Sequence, residues 1–172
     1  AALHTALKSL DVKQGDKIII PNYTCVSNIS VVSQLNAIPV IAEVEKESFG
    51  MDINGLETLI KKHKPRVLQL VHVYGFPAKY TLEIIKLCKK NKVKVIEDSS
   101  ESLGAEINKK KIGTYGDVSI FSIRSEKMIG VGEGGVISTN NFSIFKKTKL
   151  IASRHAPFRK RNDPYWKKYF VN

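Results

Sequence analysis

A lysine and an acid, about one structural unit apart, are the residues in this sequence that could do chemistry. Lys127 stands within residues 121–130, and an apolar segment that ends in Glu97 and Asp98 precedes it. Pyridoxal phosphate enzymes need a lysine to carry the aldehyde as an imine and an acid to keep the pyridine nitrogen protonated. The pair therefore suggests a Schiff-base cofactor, with Lys127 as the amine and Asp98 as the acid.

The position of Asp98 fits this hypothesis but allows a second interpretation. In open parallel sheets the ligand lies beyond the carboxyl ends of the strands, and Asp98 and Ser122 each end a predicted strand. Asp98 could equally cap the turn formed by residues 99–101, because Asp and Ser are common turn formers. The residues alone leave both interpretations open.

The glycine-rich segment 130–135 matches the dinucleotide-binding fingerprint Gly-x-Gly-x-x-Gly. That fingerprint requires a helix directly after the glycines, so that the pyrophosphate meets the helix N-terminus. The β-prone residues 136–139 follow here instead. We therefore predict that the glycines let the backbone turn tightly beside Lys127 and leave a cofactor room to approach.

His72 and Tyr74 follow another predicted strand and face the same edge of the sheet. A structural histidine with satisfied hydrogen bonds is the favoured interpretation of His72. The scattered Ser, His and Asp residues also permit a hydrolase triad, but the sequence lacks the Gly-x-Ser-x-Gly elbow that exposes a nucleophile.

Predicted strands and helices alternate along the chain. Several strands are nearly continuous apolar runs, which predicts an α/β domain whose mostly parallel sheet is covered by helices on both faces. We expect Pro21 to close the first strand and Asp52 to cap a helix. The predicted strands are residues 17–20, 39–43, 67–71, 93–96, 118–122 and 135–139, and the predicted helices are residues 27–35, 52–60, 82–88 and 143–151.

The composition indicates one globular domain of 172 residues with 42% hydrophobic residues. No stretch approaches the roughly 20 apolar residues that span a bilayer, and the sequence starts without a signal-peptide pattern, so a cytoplasmic protein that does not enter a membrane is expected. Cys25 and Cys88 have no metal-binding pattern around them. Both thiols are therefore expected to be reduced, and no metal is expected.

The formal net charge of +12 raises the possibility of nucleic-acid binding. The excess comes mostly from lysines scattered at predicted helix ends and turns, where solvated lysines are ordinary. We therefore expect no nucleic-acid partner, although a basic surface would help to attract a phosphorylated small substrate.

Both ends of the sequence look cut. A helical pattern already starts at Ala1 with no residue before it to cap the helix, and no stop signal precedes Asn172. We expect a cofactor-binding large domain over residues 1–154, truncated at its N-terminus. Residues 155–172 are expected to form a basic segment that connects to a missing C-terminal part.

Taken in order, these segments resemble the DegT/StrS-type nucleotide-sugar aminotransferases, which are fold-type-I pyridoxal phosphate enzymes. Each segment alone is weak evidence for the family, but the order and spacing of the segments together are specific to it. The resemblance rests on AALH at 1–4, GD at 15–16, PNYT at 21–24, PV at 39–40, VHVYG at 71–75, EDSSE at 97–101, GTYGD at 113–117, FS at 121–122 with Lys127 five residues on, and GEGG at 132–135.

The resemblance implies a role for each candidate site residue. Lys127 would form the Schiff base and then move a proton between substrate and cofactor, and Asp98 would pair with the pyridine nitrogen. Ser122 and a backbone amide at Ala1 would hold the phosphate, helped by the dipole of the first helix. Glu101 would stand beside the phenolic oxygen, where the family usually has Gln or His.

Cys25 occupies the place where the family often stacks an aromatic ring on the pyridine. The small C-terminal domain of the family is absent from this sequence, so the chain alone is expected to be inactive. The resemblance further implies a homodimer in which the partner subunit completes each site.

Because the position is Lys127 and not His, the resemblance favours amino transfer over the related sugar dehydratases. Glutamate would donate its amino group, and a keto sugar on a nucleotide diphosphate would accept it to give a perosamine-type 4-amino-4,6-dideoxy sugar. The alternatives are a catalytically degenerate, cofactor-binding regulator of the same family and a pyridoxal phosphate-dependent sugar dehydratase.

Overall fold

Strands and helices alternate through residues 1–152, which are the residues described by the computed structural model. The predicted segment 155–172 lies outside the described residues. The strands are β1 (Lys17–Pro21), β2 (Ile38–Ala42), β3 (Val67–Val71), β4 (Lys94–Asp98), β5 (Glu106–Ile107), β6 (Lys110–Lys111), β7 (Val118–Ser122) and β8 (Gly135–Ser138). The helices are α1 (Ala2–Ser9), α2 (Val26–Gln34), α3 (Leu56–His63), α4 (Thr81–Lys90), α5 (Phe142–Ala152) and a 3₁₀ turn (Val73–Gly75).

Six strands form one sheet in the order β2-β1-β3-β4-β7-β8. The first five are parallel to their neighbours, and β8 pairs antiparallel with β7. Strands β5 and β6 form a separate two-stranded antiparallel pair. The prediction of a mostly parallel α/β sheet is therefore confirmed.

Helices cover both faces of the sheet because successive side chains of a strand point to opposite sides. Ile18 and Ile20 of β1 belong to one core cluster together with Leu7 of α1. Ile19, between them, belongs to a second cluster with Ile84 of α4. All five residues are almost completely buried. A strand with apolar residues on both sides needs two such layers, which explains the continuous apolar runs in the sequence.

The expected cap at Asp52 is wrong. Helix α3 begins at Leu56, after Gly55, whose φ of 75° lies in the left-handed region. Asp52 instead accepts a hydrogen bond from the backbone N–H of Asn54 at 2.9 Å, which closes a local turn. Gly55 takes the left-handed conformation at little cost, so it sets the start of the helix three residues later.

Candidate functional site

A cavity of about 800 Å³ opens at the carboxyl ends of the central parallel strands. The residues that follow β1 and β3, and those that end β4 and β7, meet there because these strands are parallel and adjacent. The structure brings all six predicted site residues into this one cavity: Ala1, Cys25, Asp98, Glu101, Ser122 and Lys127.

Lys127 and Glu101 form an ion pair in the cavity, with Nζ 3.0 Å from Oε1. The other carboxylate oxygen of Glu101 accepts the backbone N–H of Tyr74 at 2.9 Å. Tyr74 has a φ of 54° within its 3₁₀ turn. The amide of Tyr74, and next the ammonium of Lys127, lower the pKa of Glu101 below its usual range. Glu101 is therefore a charged partner for the lysine.

Asp98 ends β4 and is only 5% exposed, so its oxygens depend on protein donors. One oxygen accepts the backbone N–H of Ser100 at 3.1 Å. The other lies 3.2 Å from the amide nitrogen Nδ2 of Asn28. Asp98 thus holds the turn and lines the cavity, so the two interpretations of the sequence describe the same side chain.

Asn28 was missed in the sequence analysis. It lies in the first turn of α2, is 1% exposed, and its Nδ2 also donates to the hydroxyl of Thr24 at 2.9 Å. The available signal was its place one turn into the helix that follows β1, close to the predicted site position Cys25. Only the tertiary structure brings it to Asp98, 70 positions away.

Three of the lining residues offer groups suited to an anion. Ser122 ends β7, and Ala1 is the N-cap residue of α1, whose N-terminus faces the same space. Arg124 also lines the cavity and pairs with Glu133 at 3.3 Å. A hydroxyl, a guanidinium and a helix N-terminus are groups that hold phosphates in proteins, so these groups fit a phosphate.

Gly135, which pairs with Ser122, allows β8 to approach α1. A Cβ atom at Gly135 would lie 2.8 Å from Cβ of Ala2, closer than real carbon contacts. Glycine is therefore required at 135 for the observed packing, although its φ is not in the left-handed region.

Cys25 is exposed, lines the cavity and precedes α2 as its N-cap residue. The aromatic residues nearby form a rim cluster of Tyr23, Phe49 and Tyr74, with ring centroids 5.5 to 6.5 Å apart. The hydroxyls of Tyr23 and Tyr74 lie 2.6 Å apart, and this hydrogen bond is the main cause of a raised pKa of Tyr74.

His72 is a structural residue, as the sequence indicated. Its Nδ1 accepts the backbone N–H of Ala78 at 3.0 Å, so the proton is on Nε2, 3.1 Å from Oε1 of Glu97. Glu97 is fully buried and also accepts the backbone N–H groups of Gly113 (2.6 Å) and Gly116 (3.0 Å). Burial opposes its ionisation, but these hydrogen bonds, with that of His72, lower the pKa of Glu97 overall.

The glycine segment does not have the structure of a dinucleotide site, because β8 and not a helix follows it. Gly132 has a φ of 104°, and a Cβ at Gly130 would lie 2.5 Å from the carbonyl oxygen of Ser125. The segment therefore folds back tightly just after Lys127, as predicted.

Other expectations concern metals, membranes and thiols. Within residues 1–152, no group of three or more His, Cys, Asp or Glu side chains is arranged to hold a metal ion. None of the helices in this described part has the length and apolar character that a bilayer crossing requires. Cys25 and Cys88 are free thiols.

Comparisons with known proteins agree with this geometry. GDP-perosamine synthase from Vibrio cholerae is 36% identical over 165 residues, which cover 96% of this chain and 44% of that protein. DesV from S. venezuelae, solved in complex with a ketimine intermediate, superposes with a TM-score of 0.84 at 28% identity, covering 93% of this chain and 43% of that one.

NtdA from Bacillus subtilis, solved with the bound cofactor PMP, superposes with a TM-score of 0.81 at 25% identity and covers 88% of this chain and 34% of that one. The chain thus spans less than half the length of the relatives it matches. The model of the DegT/DnrJ/EryC1/StrS aminotransferase family matches residues 1–171. The chain belongs to the DegT/DnrJ/EryC1/StrS aminotransferase family.

Proposed function

We propose that this chain is the cofactor-binding part of a pyridoxal phosphate-dependent sugar aminotransferase. The protein would move an amino group from glutamate to a nucleotide-linked keto-deoxy sugar and give a perosamine-type 4-amino-4,6-dideoxy product. The observation that carries the proposal is the convergence of a lysine, a buried acid and groups suited to an anion in one cavity. A cytoplasmic homodimer, in which the partner completes each site, belongs to the same proposal.

The residues that line the cavity have the chemistry that this cofactor needs. When bound, pyridoxal phosphate supplies an aldehyde that takes up amines and a ring that accepts electrons. Asp98 would hold the proton on the pyridine nitrogen, because a buried carboxylate favours an opposite charge beside it. Ser122, Arg124 and the N-terminus of α1 would hold the phosphate.

Lys127 would be the catalytic residue. Its Nζ lies within the cavity and is partly shielded from water, with the carboxylate of Glu101 as its partner. Nζ would act as base and then acid, taking a proton from the substrate carbon and delivering it to the cofactor. Glu101 would hold Nζ at the cavity wall between these steps.

The substrate class is supported by charge and by resemblance. The net charge of +12 favours the approach of an anionic nucleotide diphosphate. The similarity to the V. cholerae GDP-perosamine synthase extends over 96% of the chain, which supports a nucleotide-linked sugar as the amino acceptor.

Borohydride reduction tests the lysine assignment in a full-length protein. Pyridoxal phosphate is added, the complex is reduced, and the modified peptide is mapped. We expect the label on Lys127 and its loss in Lys127→Gln. Lys94→Gln is the matched control, because Lys94 also has a carboxylate partner, Asp117 at 2.8 Å, but lies outside the cavity. A label on another lysine, or none, would overturn the assignment.

The glutamate half-reaction tests the activity. We expect glutamate to convert the bound cofactor to its amine form, followed by amination of a nucleotide-linked keto sugar. Labelling of Lys127 without this conversion would instead identify a degenerate cofactor-binding regulator.

A further inference from the structure

We infer that Asn28 is a positioning residue that fixes the orientation of Asp98 toward the bound cofactor. The inference rests on the proposed function and deepens it. Nδ2 of Asn28 lies 3.2 Å from Oδ2 of Asp98, and both residues line the cavity. Asn28 would act through Asp98 and make no contact with the reacting atoms.

The contact itself determines which way the amide points. An ionised carboxylate only accepts hydrogen bonds, so the atom of Asn28 that faces Asp98 must be the NH₂ group. The same nitrogen lies 2.9 Å from the hydroxyl oxygen of Thr24, which can accept the second hydrogen. Both hydrogens of Nδ2 are therefore used, and the amide plane is held at two points.

Asp98 is held from two sides as a result. The backbone N–H of Ser100 binds Oδ1, and Asn28 binds Oδ2. Because each oxygen has one donor, rotation of the carboxylate would break at least one hydrogen bond. Asp98 is only 5% exposed, so water could not easily replace the lost donor. The remaining lone pairs stay aimed in a fixed direction, which is what pairing with a planar ring nitrogen requires.

The carbonyl oxygen of the Asn28 amide shows that packing alone does not explain why an asparagine stands at this position. Its carbonyl oxygen Oδ1 is buried and has no hydrogen-bond partner among residues 1–152. An unsatisfied buried acceptor is unfavourable, so an apolar side chain of similar size would suit a purely structural position better. The donor to Asp98 is the feature that such a side chain would lack.

Two variants with a side chain of nearly unchanged size, made in the full-length protein, test whether Asn28 orients Asp98 or only fills space. Asn28→Leu removes the donor, and Asn28→Asp replaces it with a second carboxylate. Thr81→Val is the matched control, because Thr81 is equally buried and donates one hydrogen bond to the carbonyl of Ala78, away from the cavity. The readouts are the dissociation constant of pyridoxal phosphate and the thermal unfolding midpoint of the cofactor-free protein.

We expect Asn28→Leu to weaken pyridoxal phosphate binding about ten- to a hundredfold, as loss of a residue that orients a ligand-binding group does. Thr81→Val should lower the unfolding midpoint at least as much as Asn28→Leu does, but it should leave the affinity for pyridoxal phosphate within about twofold of the unmodified protein. Asn28→Asp places a second carboxylate beside Asp98, where the two like charges repel each other. We expect its affinity for pyridoxal phosphate, measured at neutral pH, to fall about tenfold or more.

Unchanged affinity in both Asn28 variants would overturn this inference and leave the proposed function intact. An equal loss of affinity in Thr81→Val would also overturn it, because the effect would then follow stability. If the unmodified protein did not bind pyridoxal phosphate, the proposed function itself would fail. Should Asn28→Leu not fold, the affinity of Asn28→Asp alone decides the inference.

Discussion

Nζ of Lys127 lies 3.0 Å from Oε1 of Glu101, and the two residues come from loops that follow different strands. The backbone amide of Tyr74 fixes the second carboxylate oxygen. The lowered pKa of Glu101 keeps the carboxylate charged at neutral pH. A lysine that is to attack an aldehyde must first leave this carboxylate and lose a proton.

Glu101→Gln should therefore capture pyridoxal phosphate faster than the unmodified protein. The Gln oxygen can still accept the N–H of Tyr74, so the loop should keep its conformation. We expect a rate increase of about two- to fivefold at low ionic strength, the range of a partly exposed ion pair. The measurement is the growth of the visible absorbance of the lysine-bound cofactor, and high salt should reduce the difference. A slower capture at every salt concentration would contradict the role given to the ion pair.

Glu97→Gln should lower stability at neutral pH. The buried carboxylate accepts three backbone N–H groups of residues 113–116 together with His72. We expect a loss of about 2 to 4 kcal/mol in the free energy of unfolding, because buried donors lose a charged acceptor. Denaturant unfolding measures it, with Glu57→Gln as the control, since Glu57 is exposed and pairs with Lys61.

The pH dependence of this loss has a definite sign. The pKa of Glu97 is lowered in the folded state from a usual value of 4.5, so its contribution is fully present above that pH. It should disappear as the pH falls below 4.5 toward the lowered pKa. The stabilities of the unmodified protein and Glu97→Gln should therefore converge in acid, and a constant difference across that range would contradict the assignment.

The two thiols should differ strongly in alkylation. Cys25 is exposed in the cavity, whereas Cys88 is buried in α4, and burial, followed by the nearby charge of Asp117, raises the pKa of Cys88 to about 12. Iodoacetamide should modify Cys25 in the native protein and leave Cys88 unmodified until unfolding. Prior addition of pyridoxal phosphate should slow the modification of Cys25, as mass spectrometry of the peptides can measure. Equal modification with and without the cofactor would place Cys25 away from it.

Gly135→Ala should destabilise the packing of β8 against α1. The added Cβ would meet Cβ of Ala2 at 2.8 Å, and we expect a cost of about 1 to 3 kcal/mol, typical of overpacking. Ala2→Gly removes the opposing atom. In a double-mutant cycle measured by thermal unfolding, the two changes together should cost less than the sum of the single changes. Strict additivity would show that the clash lies elsewhere.

The sequence by itself determined the class of fold and the candidate residues. Apolar runs of strand length between amphipathic helices indicate a parallel sheet whatever its strand order, because burial on both faces is a local requirement. Asp98 was found from its residue type and its position at a strand end, and Lys127 from its residue type and its distance along the chain from Asp98. Asp52 was assigned wrongly because the left-handed conformation of Gly55 decides where α3 begins.

Only the tertiary structure decided which side chains meet. Asn28 reaches Asp98 across 70 positions because β1, β3 and β4 lie side by side with their carboxyl ends at one edge. The family resemblance implied a role for Glu101 beside a cofactor but did not pair Glu101 with Lys127, which is 26 positions away. Hydrogen bonds and ion pairs form over about 3 Å, so they depend on the order and register of strands, which local patterns of polarity do not encode.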